Sequence, residues 1–365
     1  MRIESTKDKL AWAIGRAEKI TGKNLTLPVL QCILLEAKNN TLTIKATNLD
    51  LGIELSIPVK VEEEGTVAIP GGILSSFISQ IQSKNIILET IEGNLKVSTA
   101  QNSTTIKSVL HEDFPKIPVI EDGKSFVMEA QEFIRGLKSV WYCSSTSSMK
   151  PELSSVYIYP DKDEAVFVAT DSFRLAEKRV SLKKAKDFPS ILLPQKNVPE
   201  VMRILEGVSG EVQVKMNKNQ ISFSFDGCYL TSRIVDGVFP DYRQIIPKEF
   251  KTEAVVLKED FMNALKIANI FSDAFKQVNV KVDPNKKIFE IRTRNSEVGD
   301  NMNKIEGAIT GDPIEINFNY KYISDSFQSL DSDSLSLQFA AMNRPMIMKG
   351  VSDSTFTYLV MPMNK

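Results

Sequence analysis

In the stretch ATDSFRLA (169–176) an Asp, a Ser and an Arg fall within four residues, directly after the apolar run AVFV at 165–168. Two chemistries fit those residue types. Ser172 could be a nucleophile and Arg174 a clamp for an anionic substrate, with Asp171 beside them at the rim of an inter-domain cleft. Alternatively, a buried strand ends here and turns out to solvent, with Asp171 and Ser172 as turn residues. A hydroxyl needs an adjacent base to attack, and none stands nearby in sequence. The chain has one histidine, His111, ahead of the turn-like EDFPKIP (112–118). A triad, a His-containing metal site or a His proton shuttle would all have to use it, yet no Cys or second His neighbours it at ligand spacing. Phosphate loops of the GxxxxGKS/T and GxGxxG kinds and the HExxH zinc motif are missing. A hydrolase built on Asp171, Ser172 and Arg174 is therefore the minor alternative, and a non-catalytic binding protein is the main reading.

The elements that would position these residues follow from bulk properties and repetition. A chain of 365 residues exceeds one ordinary core, so two or three domains are expected. A hydrophobic share of 42% with 25% charge is that of a soluble globular protein. The N-terminal MRIESTKDKLAWAIGRAEKI is studded with charges, unlike a signal peptide, and no stretch reaches the ~18 apolar residues of a membrane span. Cys32, Cys143 and Cys228 are scattered in apolar sequence, which fits buried, reduced thiols in a cytoplasmic protein. A net charge of −1 argues against holding nucleic acid by bulk charge, while leaving room for a local basic surface offset by acidic ones.

Helical periodicity recurs in three segments, KDKLAWAIGRAEKIT (7–21), AQEFIRGLKSVWYCS (130–144) and KEDFMNALKIANIFS (258–272). Their apolar stripes are Leu10, Ala13, Ile14 and Ala17; Phe133, Leu137, Val140 and Trp141; and Phe261, Leu265 and Ala268. A second set keeps the same interval: VAIPGGILSSFISQI (67–81), ILLPQKNVPEVMRIL (191–205) and INFNYKYISDSFQSL (316–330), each a short strand, a turn and an amphipathic helix. Alternating runs such as TLTIKA, VQVKM, ISFSF, VNVKV, IFEIRT, LSLQF and FTYLV read as strands, separated by turn signals such as EGN, NKN and DPNKK. The fold class is therefore α+β, a helix pair with several antiparallel strands repeated three times. The Phe-Pro segments DFPKIP and FPDYRQIIPKE mark the seams, giving domains at 1–121, 122–248 and 249–365.

Charge on those helices is uneven. Lys9, Arg16 and Lys23 share one face of the first helix; Arg135 and Lys138 lie opposite the stripe of the next, and Lys266 sits likewise on the third. The second set adds Lys196 and Arg203, and Lys321 beside Tyr322. Any single helix has a solvated charged face, so one such face means little. Its recurrence on equivalent helices suggests one extended surface for a polyanion.

Four landmarks, LPVLQCILLEA (27–37), ATDSFRLA, DGVFPDYRQIIP (236–247) and YLVMPMNK (358–365), together resemble the bacterial sliding clamp family, the beta subunit of DNA polymerase III. They stand in the family's order and span nearly the whole chain. The resemblance implies the clamp fold: three similar domains per subunit, two subunits closing head to tail into a ring, helices around the hole and sheets outside. It implies a DNA polymerase processivity factor that needs no metal or cofactor and encircles double-stranded DNA without reading its sequence. The basic residues Lys23, Arg135, Lys138, Lys196, Arg203, Lys266 and Lys321, with Tyr322, would then face DNA. It further implies a homodimer interface at Ile106, Ile270 and Phe271. The region around ATDSFRLA becomes a peptide-binding cleft, at Leu153, Thr170, Arg174, Leu175, Pro240, Ile245, Val360, Met361, Pro362 and Met363. The polymerase III catalytic subunit, the clamp loader, other DNA polymerases and repair proteins would dock there through short linear motifs. In this reading Leu359–Met363 is an exposed apolar group whose flexible Met walls accept several partners.

The chain departs from the family pattern at several points. Ser172 and Phe173 replace Gly-His, Gln244 stands where a basic residue is usual, and Asn364 and Lys365 replace Arg-Leu. Asn24 and Gly72 fall where well-known members have Arg, and Lys23 is the candidate substitute for the first.

Overall fold

The computed structural model describes residues 1–22, 27–182 and 188–363. Six α-helices occur among them: α1 (Lys7–Ile20), α2 (Gly71–Gln80), α3 (Ala130–Val140), α4 (Val198–Leu205), α5 (Lys258–Ile270) and α6 (Tyr320–Asp325). All six fall in the segments that carry helical periodicity. The stripe Leu10, Ala13, Ile14 and Ala17 of α1 is fully buried, as its i, i+3, i+4, i+7 spacing requires. All three cysteines are buried and free.

By packing, the chain forms two compact units, Met1–Gln131 with Lys196–Asp236, and Glu132–Gln195 with Gly237–Lys365. The first holds a five-stranded antiparallel sheet, ordered Lys60–Glu63, Arg2–Thr6, Asn85–Ile91, Asn94–Ser98, Ser103–Ile106. Its second sheet has eight strands, ordered Lys124–Glu129, Glu211–Met216, Gln220–Phe225, Cys228–Arg233, Leu51–Pro58, Thr41–Thr47, Cys32–Lys38, Gly65–Pro70. In that sheet Cys228–Arg233 pairs with Leu51–Pro58, Leu230 opposite Ile53, so a strand from the middle of the chain continues a sheet begun near the N-terminus.

The second unit has a nine-stranded sheet, ordered Ile191–Pro194, Ser155–Asp161, Glu164–Thr170, Arg174–Ser181, Asp353–Val360, Met346–Gly350, Ser334–Phe339, Thr252–Leu257, Gly307–Gly311. Here too a seam is bridged by backbone pairing, with Leu175 opposite Leu359. A four-stranded sheet, ordered Gly299–Lys304, Ile288–Asn295, Gln277–Asp283, Ile314–Asn319, completes the unit. Compactness therefore groups the chain in two where sequence repetition groups it in three. The cause is that the middle of the chain shares one ladder with each end.

The strand Glu164–Thr170 carries the opening question. Its residues 165–169 are all buried, the continuous apolar run of a strand covered on both faces. Phe133 of α3 meets Phe167 edge-on, centroids 5.5 Å apart. Gly136, one turn on, lies so close that a Cβ there would come within 2.4 Å of the Phe167 ring. This packing fixes where the strand ends and where the turn after it projects.

Candidate partner-binding cleft

The turn 171–173 is built from its own side chains. Asp171 accepts the backbone N–H groups of Phe173 and Arg174 on Oδ1, both at 3.0 Å, the Asx arrangement that reverses a chain. Thr170 donates its hydroxyl to the Arg174 carbonyl at 2.7 Å and accepts the Ser172 N–H at 3.2 Å. Ser172 takes a φ of +78°, in the left-handed region that side chains resist. The family pattern has Gly at this position, the residue this conformation favours, so the departure to Ser carries a strain that Gly would avoid. Ser172→Gly is expected to raise stability by about 0.5–1 kcal/mol, the left-handed penalty less the entropy glycine adds to the unfolded chain. A lowered denaturation midpoint in that variant would show instead that the hydroxyl supports the turn.

Arg174, expected at the rim, is largely interior. Its Nε donates to Asp171 Oδ2 at 2.9 Å, one terminal nitrogen to Asp325 at 2.6 Å, and the other to the Tyr142 carbonyl at 2.8 Å. The guanidinium also lies 4.9 Å from the Tyr322 ring centroid. Burial first, then the Asp171 carboxylate, raise the Tyr322 phenol above its ordinary value, so it stays a neutral platform at physiological pH. Burial likewise pushes the Cys143 thiol up, which leaves it unreactive. With both Asp171 oxygens committed to the turn and to Arg174, this carboxylate is not free to act as a base for Ser172.

The ten residues expected in the cleft separate into layers. Leu153, Thr170, Leu175 and Val360 are buried and form packed backing. The expectation that Leu359–Met363 is an exposed apolar group is corrected for its first half: Leu359 and Val360 are buried because their strand is paired on both sides. Met361, Pro362 and Met363 are half-buried, and they line a cavity of about 730 Å³ with Ser172, Phe173, Met342, Asn343, Asn279, Glu315, Ile316 and Asn317. The Met361 N–H donates to the Phe173 carbonyl and the Met363 N–H to the Asn317 carbonyl, both at 2.8 Å. Pro240 and Ile245 are exposed, and Pro240 borders a separate aromatic cavity of about 470 Å³ with Tyr157, Tyr159, Phe239 and Tyr242. The Met cavity is thus only part of the expected cleft. Sequence reasoning missed Asn279, Glu315, Asn317 and Met342 as its walls. They come from strands and a loop far from any landmark, and the only local signal was the polar alternation of VNVKV and INFN.

The basic candidates are placed as follows. Lys138, Lys266 and Lys321 are exposed. Arg135 is bound to Glu132 at 2.6 Å, Arg203 to Glu200 at 2.7 Å and Lys196 to Asp50 at 2.6 Å. Arg16 lies over the Trp12 ring at 4.6 Å and donates to the Glu206 carbonyl, and burial lowers its pKa. Tyr322 stacks on Phe173 with centroids 6.1 Å apart, and its carbonyl accepts from the Tyr358 hydroxyl, which places it beside the turn 171–173. Lys23 lies outside the described residues. Of the interface candidates, Ile270 is 66% exposed and Phe271 half-buried, whereas the Ile106 side chain is buried in its own unit at 5%.

Solved structures with the same architecture define the class. The DNA polymerase III beta subunit of Thermotoga maritima superposes with a TM-score of 0.94 at 23% identity, covering 100% of this chain and 99% of that one. A sliding clamp of Pseudomonas aeruginosa in complex with griselimycin gives 0.94 at 20%, covering 100% of both. The beta sliding clamp of Synechococcus elongatus is 24% identical over 371 residues, 99% of each chain. The fold is a DNA clamp fold. This chain belongs to the DNA polymerase III beta subunit family, whose N-terminal, central and C-terminal domain models match residues 1–118, 127–241 and 243–364 in that order. It is accordingly a non-catalytic processivity factor of DNA replication, and the hydrolase alternative is set aside.

Proposed function

We propose that two copies of this chain close head to tail into a ring around duplex DNA, and that the cavity at Met361–Met363 tethers its partners. The observation that carries this reading is the succession of three clamp-domain matches along the chain. Free sheet edges support it: Ser103–Ile106 ends the five-stranded sheet, and Gly299–Lys304 ends the four-stranded one. Unpaired edges invite strand addition, and pairing them between copies removes them. In this arrangement Ile106 contributes its edge backbone, while Ile270 and Phe271 contribute side chains. The domains are those at 1–121, 122–248 and 249–365, and the buried, free thiols suit a cytoplasmic setting.

Contacts with DNA in such a ring are weak, and retention is topological. Arg135, Lys196 and Arg203 already share their charge with carboxylates, so Lys138, Lys266 and Lys321 supply most of the attraction for phosphate. Partners are the polymerase III catalytic subunit, the clamp loader, other DNA polymerases and repair proteins, each docking an apolar short motif. The test is retention after loading. The protein is expected to stay on closed circular DNA in moderate salt and to be lost soon after linearisation. Equal retention on both forms would indicate ordinary electrostatic binding and remove the ring.

A further inference from the structure

The chemistry of the partner motif can be taken one step further, on the reading that the Met-lined cavity is a docking cleft. Apolar anchors suit Met361 and Met363, but the polar lining of the same cavity is one-signed. Glu315 is its one charged group among the described residues, beside the amides of Asn279 and Asn317. Glu315 stands opposite Lys281 across the sheet, with ammonium and carboxylate 3.9 Å apart and the Glu side chain 49% exposed. An ion pair that long on an open face contributes little and yields readily to a competing cation.

Phe173 is the second observation. It lines the same cavity and is 58% exposed, although it stacks on Tyr322. An accessible aromatic ring attracts cations through its quadrupole, and a nearby carboxylate adds Coulomb attraction and a charged hydrogen-bond acceptor. Among the described residues that line this space, none is cationic, so a ligand carboxylate there would meet Glu315 with only Lys281, 3.9 Å from it across the sheet, to offset the repulsion.

We propose that the cleft selects partner segments in which a Lys or Arg adjoins the apolar anchors, the cation entering the space that Glu315 and Phe173 share. The experiment uses the full chain and labelled synthetic peptides with two large apolar anchors. Each flanking position carries Lys, Ala or Glu in turn, and binding is read by fluorescence anisotropy at low and high salt. At the best position Lys is expected to bind about fivefold more tightly than Ala, with Glu weaker than Ala, and the spread should shrink in high salt. Glu315→Gln should reduce the Lys advantage and Glu315→Lys should reverse it, each read as the ratio of Lys-peptide to Ala-peptide affinity within that variant. Phe173→Ala should reduce the advantage that remains in Glu315→Gln. If the Ala peptide does not bind the unmodified protein, the cleft reading itself falls. If it binds but Lys and Glu peptides bind equally, or Glu315→Lys leaves their order unchanged, only the charge selection is overturned.

Discussion

Removing residues 361–365 is expected to abolish binding of an apolar clamp-binding peptide while leaving the subunit folded and the proposed dimer intact. The deletion takes away Met361, Pro362 and Met363 from the cavity wall. It also removes the two 2.8 Å backbone bonds by which this segment ties Phe173 to Asn317. Each large anchor buried on the intact surface contributes about 1.5–3 kcal/mol. Two anchors together contribute about 3–6 kcal/mol, so losing both weakens a motif's binding by at least about a hundredfold. The fold tolerates the cut because the strand Asp353–Val360 ends just before it and keeps both paired neighbours. Calorimetry on truncated and intact proteins decides the matter, since equal affinity in both would refute the cleft.

Replacing Ile270 and Phe271 together by Asp is expected to convert the proposed dimer into soluble monomers. Ile270 ends α5 with 66% of its surface exposed, and Phe271 follows it half-buried. In a two-membered ring the same contact occurs twice, so each substitution acts at both joints. Losing two apolar side chains costs about 3–6 kcal/mol per joint, and desolvating the new carboxylates adds to it. Ile106→Asp would be a poor substitute test, because that side chain is buried within its own unit and its loss would damage folding. Sedimentation is the readout. A doubly substituted protein that remains a dimer at micromolar concentration would exclude this surface, and an unmodified protein that sediments as a monomer would exclude the ring.

Much of the fold was legible because its signals are local. The stripe of α1 and the run Ala165–Ala169 report burial directly, through periods that only a helix or a doubly covered strand can satisfy. The landmark ATDSFRLA gave its turn correctly, since Asx geometry is written in adjacent residues. It misled about Arg174, whose partner Asp325 lies 151 positions away and leaves no trace near it in sequence. The terminal apolar group was half right for a related reason. Exposure at Leu359 depends on whether its strand has neighbours on both sides, and pairing is a non-local fact. The cavity walls Asn279, Glu315 and Asn317 were invisible because alternation along a strand says which residues share a face, not what that face adjoins.

The ladders that run through both seams restrict how this chain can be dissected. A cut near residue 121 or 248 severs the polypeptide but leaves the middle third zipped edge to edge, by Cys228–Arg233 on Leu51–Pro58 and by Arg174–Ser181 on Asp353–Val360. A protease nicking those loops would thus release nothing until whole rows of backbone hydrogen bonds unzip. A chimera that imports one third from a relative must match strand register at each foreign edge. The repeat that looks modular in sequence is woven together by shared ladders.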